Sequence, residues 1–259
     1  MSGLVRAFIA LRWFAVWRRN ARVWRKLAGP AILGNIGEPL LYLLALGYGL
    51  GALVGKVEGV DYLSFLASGF VCASVMNTAS FEAIYSAYTR MAVQETWTAM
   101  LHTPLAVDDI LIGEALWAAS KALLSAIFIL VVAAFLGAVD GWQVVLVLPV
   151  ALLGGLTFGA MALVVTALSR SYDFFLYYFT LLLTPMLLFS GVFFPLDGMP
   201  GWLQQGAQLL PLTHAIALVR PLMVGLPPHD ILLHLSVLLG YGLLALRLAS
   251  RLIHRRLYR

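Results

Sequence analysis

The sequence predicts an all-α membrane protein: six transmembrane helices, an N-terminal amphipathic helix in the membrane interface, a short helix on a cytoplasmic loop, and an outward re-entrant helical hairpin between spans five and six. Three observations predict it. The 259 residues are 62% hydrophobic and 11% charged, far more apolar than a soluble domain. Uncharged stretches of spanning length recur, with 20 residues between Asp61 and Glu82 and 29 between Asp140 and Arg170. The 22 uncharged residues between Asp197 and Arg220, in contrast, are interrupted by Pro200, Gly201, Gly206 and Pro211. Proline removes a backbone donor and glycine weakens a helix, so this stretch predicts two half-length helices, 201–210 and 213–224. Broken backbone at membrane depth is tolerated only where protein or a water-filled cavity covers it. The hairpin therefore reads as the cap of a pathway.

The elements follow in order. Residues 1–29 form a cytoplasmic segment whose 17–28 stretch puts Trp17, Ala21, Val23, Trp24, Leu27 and Ala28 on one side of a helix and Arg18, Arg19, Arg22, Arg25 and Lys26 on the other. Two roles stay open for it: bracing the spans or a partner, and simple attraction to anionic lipid. Gly29 and Pro30 end it. The transmembrane domain, 30–250, begins with a first span at 30–54 that carries Glu38-Pro39 and the four-residue ladder Gly47, Gly51 and Gly55, which permits close helix packing. Further spans are expected at 62–87, 110–137, 142–168, 174–194 and 230–250, with a cytoplasmic loop at 88–109 and the hairpin at 195–227. A basic tail, 251–259, closes the chain. Met1 to Gly29 holds seven Lys and Arg and the tail four, whereas the loops after spans one, three and five hold Lys56, none and Arg220. Both termini are thereby expected in the cytoplasm. The formal charge of +5 gathers at the two ends beside apolar segments, which points to a membrane surface and away from nucleic acid. Nor does the N-terminus predict a cleavable signal, because Arg6, Arg12, Arg18 and Arg19 leave no uninterrupted apolar region before Gly29.

Candidate chemistry is sparse. In the loop after span two, Thr89 is a possible N-cap, and Val93, Trp97, Met100 and Leu101 line one face of a short helix with Arg90, Gln94, Glu95 and Thr98 mostly elsewhere. Such a helix suits insertion into a soluble partner, or equally a lid on the chain's own span ends. Glu38, Glu82, Glu114 and Lys121 lie at or near membrane depth, where ionisable residues mark either coupling or paired structure. Glu114 and Lys121 are seven apart, too far for an i,i+4 pair. Phe174, Phe175, Tyr177, Tyr178 and Phe179 crowd the start of span five as an interfacial belt or as a stacking track for sugar rings. The five histidines form no metal-ligand pattern, and Cys72 is the single cysteine. Ser190 with His214 or His234 imitates an intramembrane protease, yet Leu188 stands where that nucleophile motif has glycine. The stretch from Gly51 to Lys56 is not a phosphate-binding loop, since it is one residue short and lacks Ser or Thr after the lysine.

Taken with its flanks, the hairpin resembles the signature region of type-2 ABC exporter permeases through Phe189-Ser190-Gly191, Phe194-Pro195, Pro200, Leu210-Pro211-Leu212-Thr213-His214 and Arg220-Pro221-Leu222-Met223 with Gly225. Thr103 to Ile110 leading to Gly113-Glu114 and Leu116-Trp117 is a second match, and Glu38-Pro39 with Leu46 to Gly51 a third. Within the family the likeness is to permeases that export lipo-chitooligosaccharide nodulation factors. The resemblance implies a homodimer in the bacterial inner membrane, paired with two copies of a separate ATPase that carries ATP and Mg, no cofactor in this chain, and an amphiphilic substrate. It makes 90–101 the coupling helix, with Arg90, Val93, Gln94, Glu95, Trp97, Met100 and Leu101 as its residues. The external gate would then carry Pro195, Pro200, Pro211, His214, Arg220 and Pro221. An ion-driven secondary transporter using Glu38 or Glu114, and a membrane enzyme using Ser190, are the competing classes.

Overall fold

The computed structural model describes residues 3–26, 28–29, 37 and 40–257; Glu38, Pro39 and most of the first half of the first expected span lie outside them. The chain opens with α1 (Gly3–Ile9) and α2 (Trp13–Arg25). Then come α3 (Leu40–Val54), α4 (Tyr62–Val93), a loop helix α5 (Thr96–Leu101), α6 (Val107–Phe135) and α7 (Trp142–Leu168). The helix α8 (Phe174–Phe189), the short pair α9 (Gly201–Ala207) and α10 (Pro211–Met223), and the long α11 (Ile231–Leu257) complete it. Four of these, α4, α6, α7 and α11, are long and apolar enough to cross a membrane; α3 and α8 are apolar but shorter.

The helix α4 is the axis of the bundle, packed on α6, α7, α10 and α3. Its buried face is built from small side chains, among them Ala67, Gly69, Ala73, Ala79 and Ala83. Small residues let helix backbones approach closely where no water drives them together. The α6–α7 contact follows the same rule: a Cβ added at Gly155 would stand 2.9 Å from the Ala119 Cα. Buried hydroxyls are satisfied across helices, as in the 2.6 Å contact between Ser74 and Ser125. At the far end of α7, the Arg256 guanidinium of α11 donates to the carbonyls of Thr166, Ala167 and Ser169 at 3.0, 3.1 and 2.6 Å, placing a cation at a helix C-terminus.

Between α3 and α4 the chain forms a two-stranded hairpin, Lys56–Val57 against Val60–Asp61, with Val57 opposite Val60. Its turn residues Glu58 and Gly59 both have positive φ, 52° and 81°, as a two-residue turn with this twist requires. The stretch 195–227 holds two short helices, Gly201–Ala207 and Pro211–Met223, against the expected 201–210 and 213–224. Pro200 precedes α9 in extended backbone and Pro211 occupies the first turn of α10, where a missing N–H costs nothing. Pro221 falls in the last turn of α10, which ends at Met223.

Three expectations are corrected. The amphipathic helix begins at Trp13 rather than Trp17, and its buried side is Val16 and Asn20, while Val23 is 49% exposed. Gly113 of α6 lets this happen, since a Cβ there would lie 2.6 Å from Val16 Cβ. Thr89 is not a cap, because α4 runs on to Val93 and the Thr89 hydroxyl donates to Tyr85 O at 2.7 Å. The loop helix is also shorter than 90–101. Glu95, with φ of 51°, interrupts it and only Thr96–Leu101 is helical beyond α4.

Candidate functional site

Two polar clusters sit at opposite ends of α4. The first surrounds Glu82 and Glu114, both buried. Two π turns in α4, Glu82–Ser86 and Thr89–Val93, widen the helix here; turns of this kind occur often at functional sites. Arg90 lies between the two carboxylates. Its Nε and Nη2 donate to the Oε1 and Oε2 of Glu114 at 2.9 and 2.5 Å, and Nη2 also donates to Glu82 Oε1 at 2.9 Å. Lys121 Nζ donates to Glu82 Oε2 at 2.8 Å and Trp117 Nε1 to Oε1 at 2.9 Å. Glu114 further accepts from Asn20 Nδ2 at 3.1 Å and from Trp97 Nε1 at 3.2 Å. One network thus joins α2, α4, α5 and α6. Such buried ions are tolerated only when paired and fully hydrogen-bonded.

A cavity of about 450 Å³ opens beside this network, lined by Arg19, Trp24, Tyr85, Thr89, Gln94 and Tyr172 among others. Arg19 donates to Asn20 Oδ1 at 3.0 Å; burial, and then the neighbouring Arg90 charge, lower its pKa against the pull of Glu114. Along one flank runs an aromatic wall: Tyr85 of α4 stacks with Phe179 of α8, Phe81 meets Phe179 at a tilt, and Tyr88 meets Tyr172 and Phe175 edge-on. Phe175 and Tyr178 are buried in this contact, whereas Phe174 and Tyr177 face outward.

The second cluster lies under the hairpin. Arg220 in the last turn of α10 donates through Nε to Ser68 Oγ at 3.1 Å and through Nη2 to Gly191 O at 2.5 Å. Its guanidinium also lies 3.6 Å from the Phe65 ring centre, and its only ion-pair partner among the described residues is Glu58, at 3.6 Å. One turn from the start of α10, His214 contacts Gln208 O through Nε2 and His234 Nδ1 through Nδ1, both at 2.8 Å. A carbonyl only accepts, so His214 carries a proton on Nε2, and its Nδ1 in the neutral ring accepts from His234.

The structure brings Arg90, Trp97, Glu82, Glu114 and Lys121 into one site. Gln94, Glu95 and Val93 stay on the exposed side of the loop, with Met100 and Leu101 partly buried. Trp97 is fully buried and faces the chain's own network, contrary to a place on a partner-facing surface. Glu82 is paired in the interior, and Glu38 lies outside the described residues. Ser190 Oγ is buried and has no hydrogen-bond partner among the described residues, and neither His214 nor His234 bonds to it. Pro195 precedes a single 3-10 turn, Leu196–Gly198, on the way to Pro200. Asn20 and Glu58 are not among the residues the sequence singles out, and Trp117 enters there only through the family resemblance. Asn20, a lone amide among arginines in an amphipathic helix, was the available signal for the first.

Comparison with known proteins agrees with this architecture. The family model described as ABC-2 type transporter matches residues 11–224. The chain is 48% identical over 249 residues to Nodulation protein J of Rhizobium leguminosarum bv. viciae, covering 96% of each. Against Nodulation protein J of Rhizobium meliloti (strain 1021) the figure is 46% over 245 residues, 95% and 94% of the two chains. The Inner membrane transport permease YadH of Escherichia coli (strain K12) is 22% identical over 212 residues, 81% of each. With the family model covering most of its length and full-length relatives well above chance similarity, this chain is a membrane transport permease and belongs to the ABC-2 type transporter family.

Proposed function

We propose that the chain is the transmembrane half of an ATP-driven exporter, working as a homodimer in the bacterial inner membrane with two copies of a separate ATPase that binds ATP and Mg. The observation that carries this reading is the anchoring of the loop helix α5. Trp97 locks it to Glu114, and through Arg90 and Asn20 to two spans and the N-terminal helix. A push on α5 therefore moves α2, α4 and α6 together. The exposed side of the loop, Val93, Gln94, Glu95, Thr98 and His102, is left for the ATPase to grip, with the buried Trp97 as transmitter instead of contact.

In this reading α3 and α8 complete six spans, both termini are cytoplasmic, and the pathway runs along the dimer face of α3, α4 and α8. That face carries exposed apolar side chains such as Leu41, Tyr48, Tyr85 and Leu181, which a second copy would cover. The α9–α10 hairpin is the external gate, held by Arg220. Kinship with Nodulation protein J proteins supports an amphiphilic lipo-oligosaccharide as cargo. Rocking between two states biased by nucleotide is what alternating access needs. Glu82 and Glu114 are committed to cations and indole donors, which argues against their acting as the coupling acids of an ion-driven transporter. The test is reconstitution of the chain with its co-purifying ATPase in vesicles. Export of a fluorescent lipo-chitooligosaccharide that needs ATP and survives collapse of the proton gradient is expected; export by the chain alone along that gradient would overturn the proposal.

A further inference from the structure

Away from the proposed pathway, a second groove of about 390 Å³ runs between α1, α6, α7 and α11. Leu4 and Phe8 of α1, Leu116 of α6, Leu156 of α7, and Leu239 and Leu243 of α11 are among its walls. Its depth comes from Gly242, where a Cβ would stand 3.3 Å from Thr157 Oγ1. The Thr157 hydroxyl is shared between Leu153 O and Leu238 O, at 2.9 and 3.0 Å. The one polar group in the floor is therefore spent, and the groove is apolar along its length. At about 1.5 Å per residue, Leu238 to Arg247 spans about 14 Å, near half of the ~30 Å hydrocarbon core. The groove is one leaflet deep.

Arg247 closes its polar end. It is exposed, and no hydrogen bond or ion pair to it exists among the described residues. Arg251, one turn further along the same face of α11, is likewise exposed and unpaired. Asp108 of α6, which accepts from Ser250 Oγ at 2.6 Å, pairs with neither arginine. Meanwhile α1 buries only Ala7; Val5, Phe8 and Ile9 border the groove yet are exposed. Something apolar has to cover them.

We infer that this groove binds one inner-leaflet glycerophospholipid with an anionic headgroup, an acyl chain in the slot and the phosphate on Arg247 and Arg251. A soluble anion leaves the slot empty, a neutral hydrocarbon leaves the arginines unmatched, and a zwitterionic lipid brings its own cation against them. Attraction between clustered arginines and an anionic lipid, added to apolar burial, is what the two halves of the site supply. The bound lipid fastens α1 to the bundle. The leaflet assignment rests on the cytoplasmic placement of the termini proposed above.

Native mass spectrometry of the purified full-length protein, titrated with dioleoylphosphatidylglycerol or dioleoylphosphatidylcholine, tests this without using transport or ATP hydrolysis. One tightly retained phosphatidylglycerol per chain is expected. Arg247→Gln should weaken it about fivefold, the effect of one surface cation, and Leu239→Trp, which fills the slot from a half-exposed position, should displace it. Arg255→Gln, beyond the groove on the same helix, should change nothing. Equal retention of the two lipids, equal loss from Arg255→Gln and Arg247→Gln, or indifference to Leu239→Trp would each overturn the site.

Discussion

Arg90 and Arg220, two largely buried cations at opposite ends of one helix bundle, are held in opposite ways. Arg90 meets two buried carboxylates, one of them through a pair of parallel bonds, and both carboxylates have further donors. Arg220 has neutral acceptors, an aromatic face and one carboxylate, Glu58, which is itself 37% exposed and 3.6 Å away. The first arrangement is closed: Arg90 and Lys121 together balance Glu82 and Glu114, and without Arg90 the buried Glu114 has no cation. The second is only partly neutralised, and the hairpin that carries it is made of short helices broken by proline. The proposed function assigns the first end to coupling and the second to gating.

The largest effect expected from breaking this contrast is at Arg90. Arg90→Met strands Glu114, whose ion-pair partner it is, while Glu82 keeps Lys121, and loss of one partner from a buried pair costs about 3–5 kcal/mol. Detergent thermal unfolding should show it as a large fall in melting temperature or as failure to accumulate in the membrane. The double change Arg90→Met with Glu114→Gln should recover much of that loss, because Lys121 still neutralises Glu82; a double mutant as unstable as the single one would show that the network is not the source. Arg220→Met should cost less, about 1.5–3 kcal/mol for a charged hydrogen-bonded group, and Glu58→Gln less than about 1 kcal/mol, since its pair is exposed. Equal costs at Arg90 and Arg220 would erase the distinction between the two ends.

A smaller effect sharpens the comparison further. Trp97→Phe keeps the buried ring but removes the bond to Glu114, for about 1 kcal/mol of stability. It should slow transport more than it destabilises, measured as export rate at matched protein level; a rate unchanged from the parent would deny Trp97 its transmitting role. Smallest in stability is Glu95→Ala, at an exposed position, expected within about 0.5 kcal/mol.

How legible these two ends were in the sequence differs for a physical reason. The hairpin was legible because proline and glycine act locally: breaks at Pro200 and Pro211 set helices expected at 201–210 and 213–224 and found at Gly201–Ala207 and Pro211–Met223. The Arg90 network was not. A helical wheel places Glu114 and Lys121 on one face but cannot say that their partners, Arg90 and Glu82, come from another helix. Nor does it foresee that two π turns aim both at the same point, or that Asn20 reaches in from α2. Trp97 was misplaced for a related reason. Apolar periodicity identifies a face, and only the crossing of helices decides whether that face meets a partner or the chain itself. The positive φ at Glu95, which shortens the loop helix, left no turn-forming glycine or asparagine to betray it. Glu58 was within reach, because Glu58-Gly59 between Val57 and Val60 fits a two-residue hairpin turn.

In the proposed exporter, ATP hydrolysis on a partner reaches the bundle through the exposed side of the loop around α5. The direct measurement is ATP hydrolysis by the purified complex, with and without the lipo-oligosaccharide substrate, for the parent and for Gln94→Ala with Glu95→Ala. Expected are a partner that co-purifies and hydrolyses ATP faster with substrate, and a double mutant that folds and inserts normally but loses that stimulation and weakens the association. A double mutant that keeps both full association and full stimulation would contradict it.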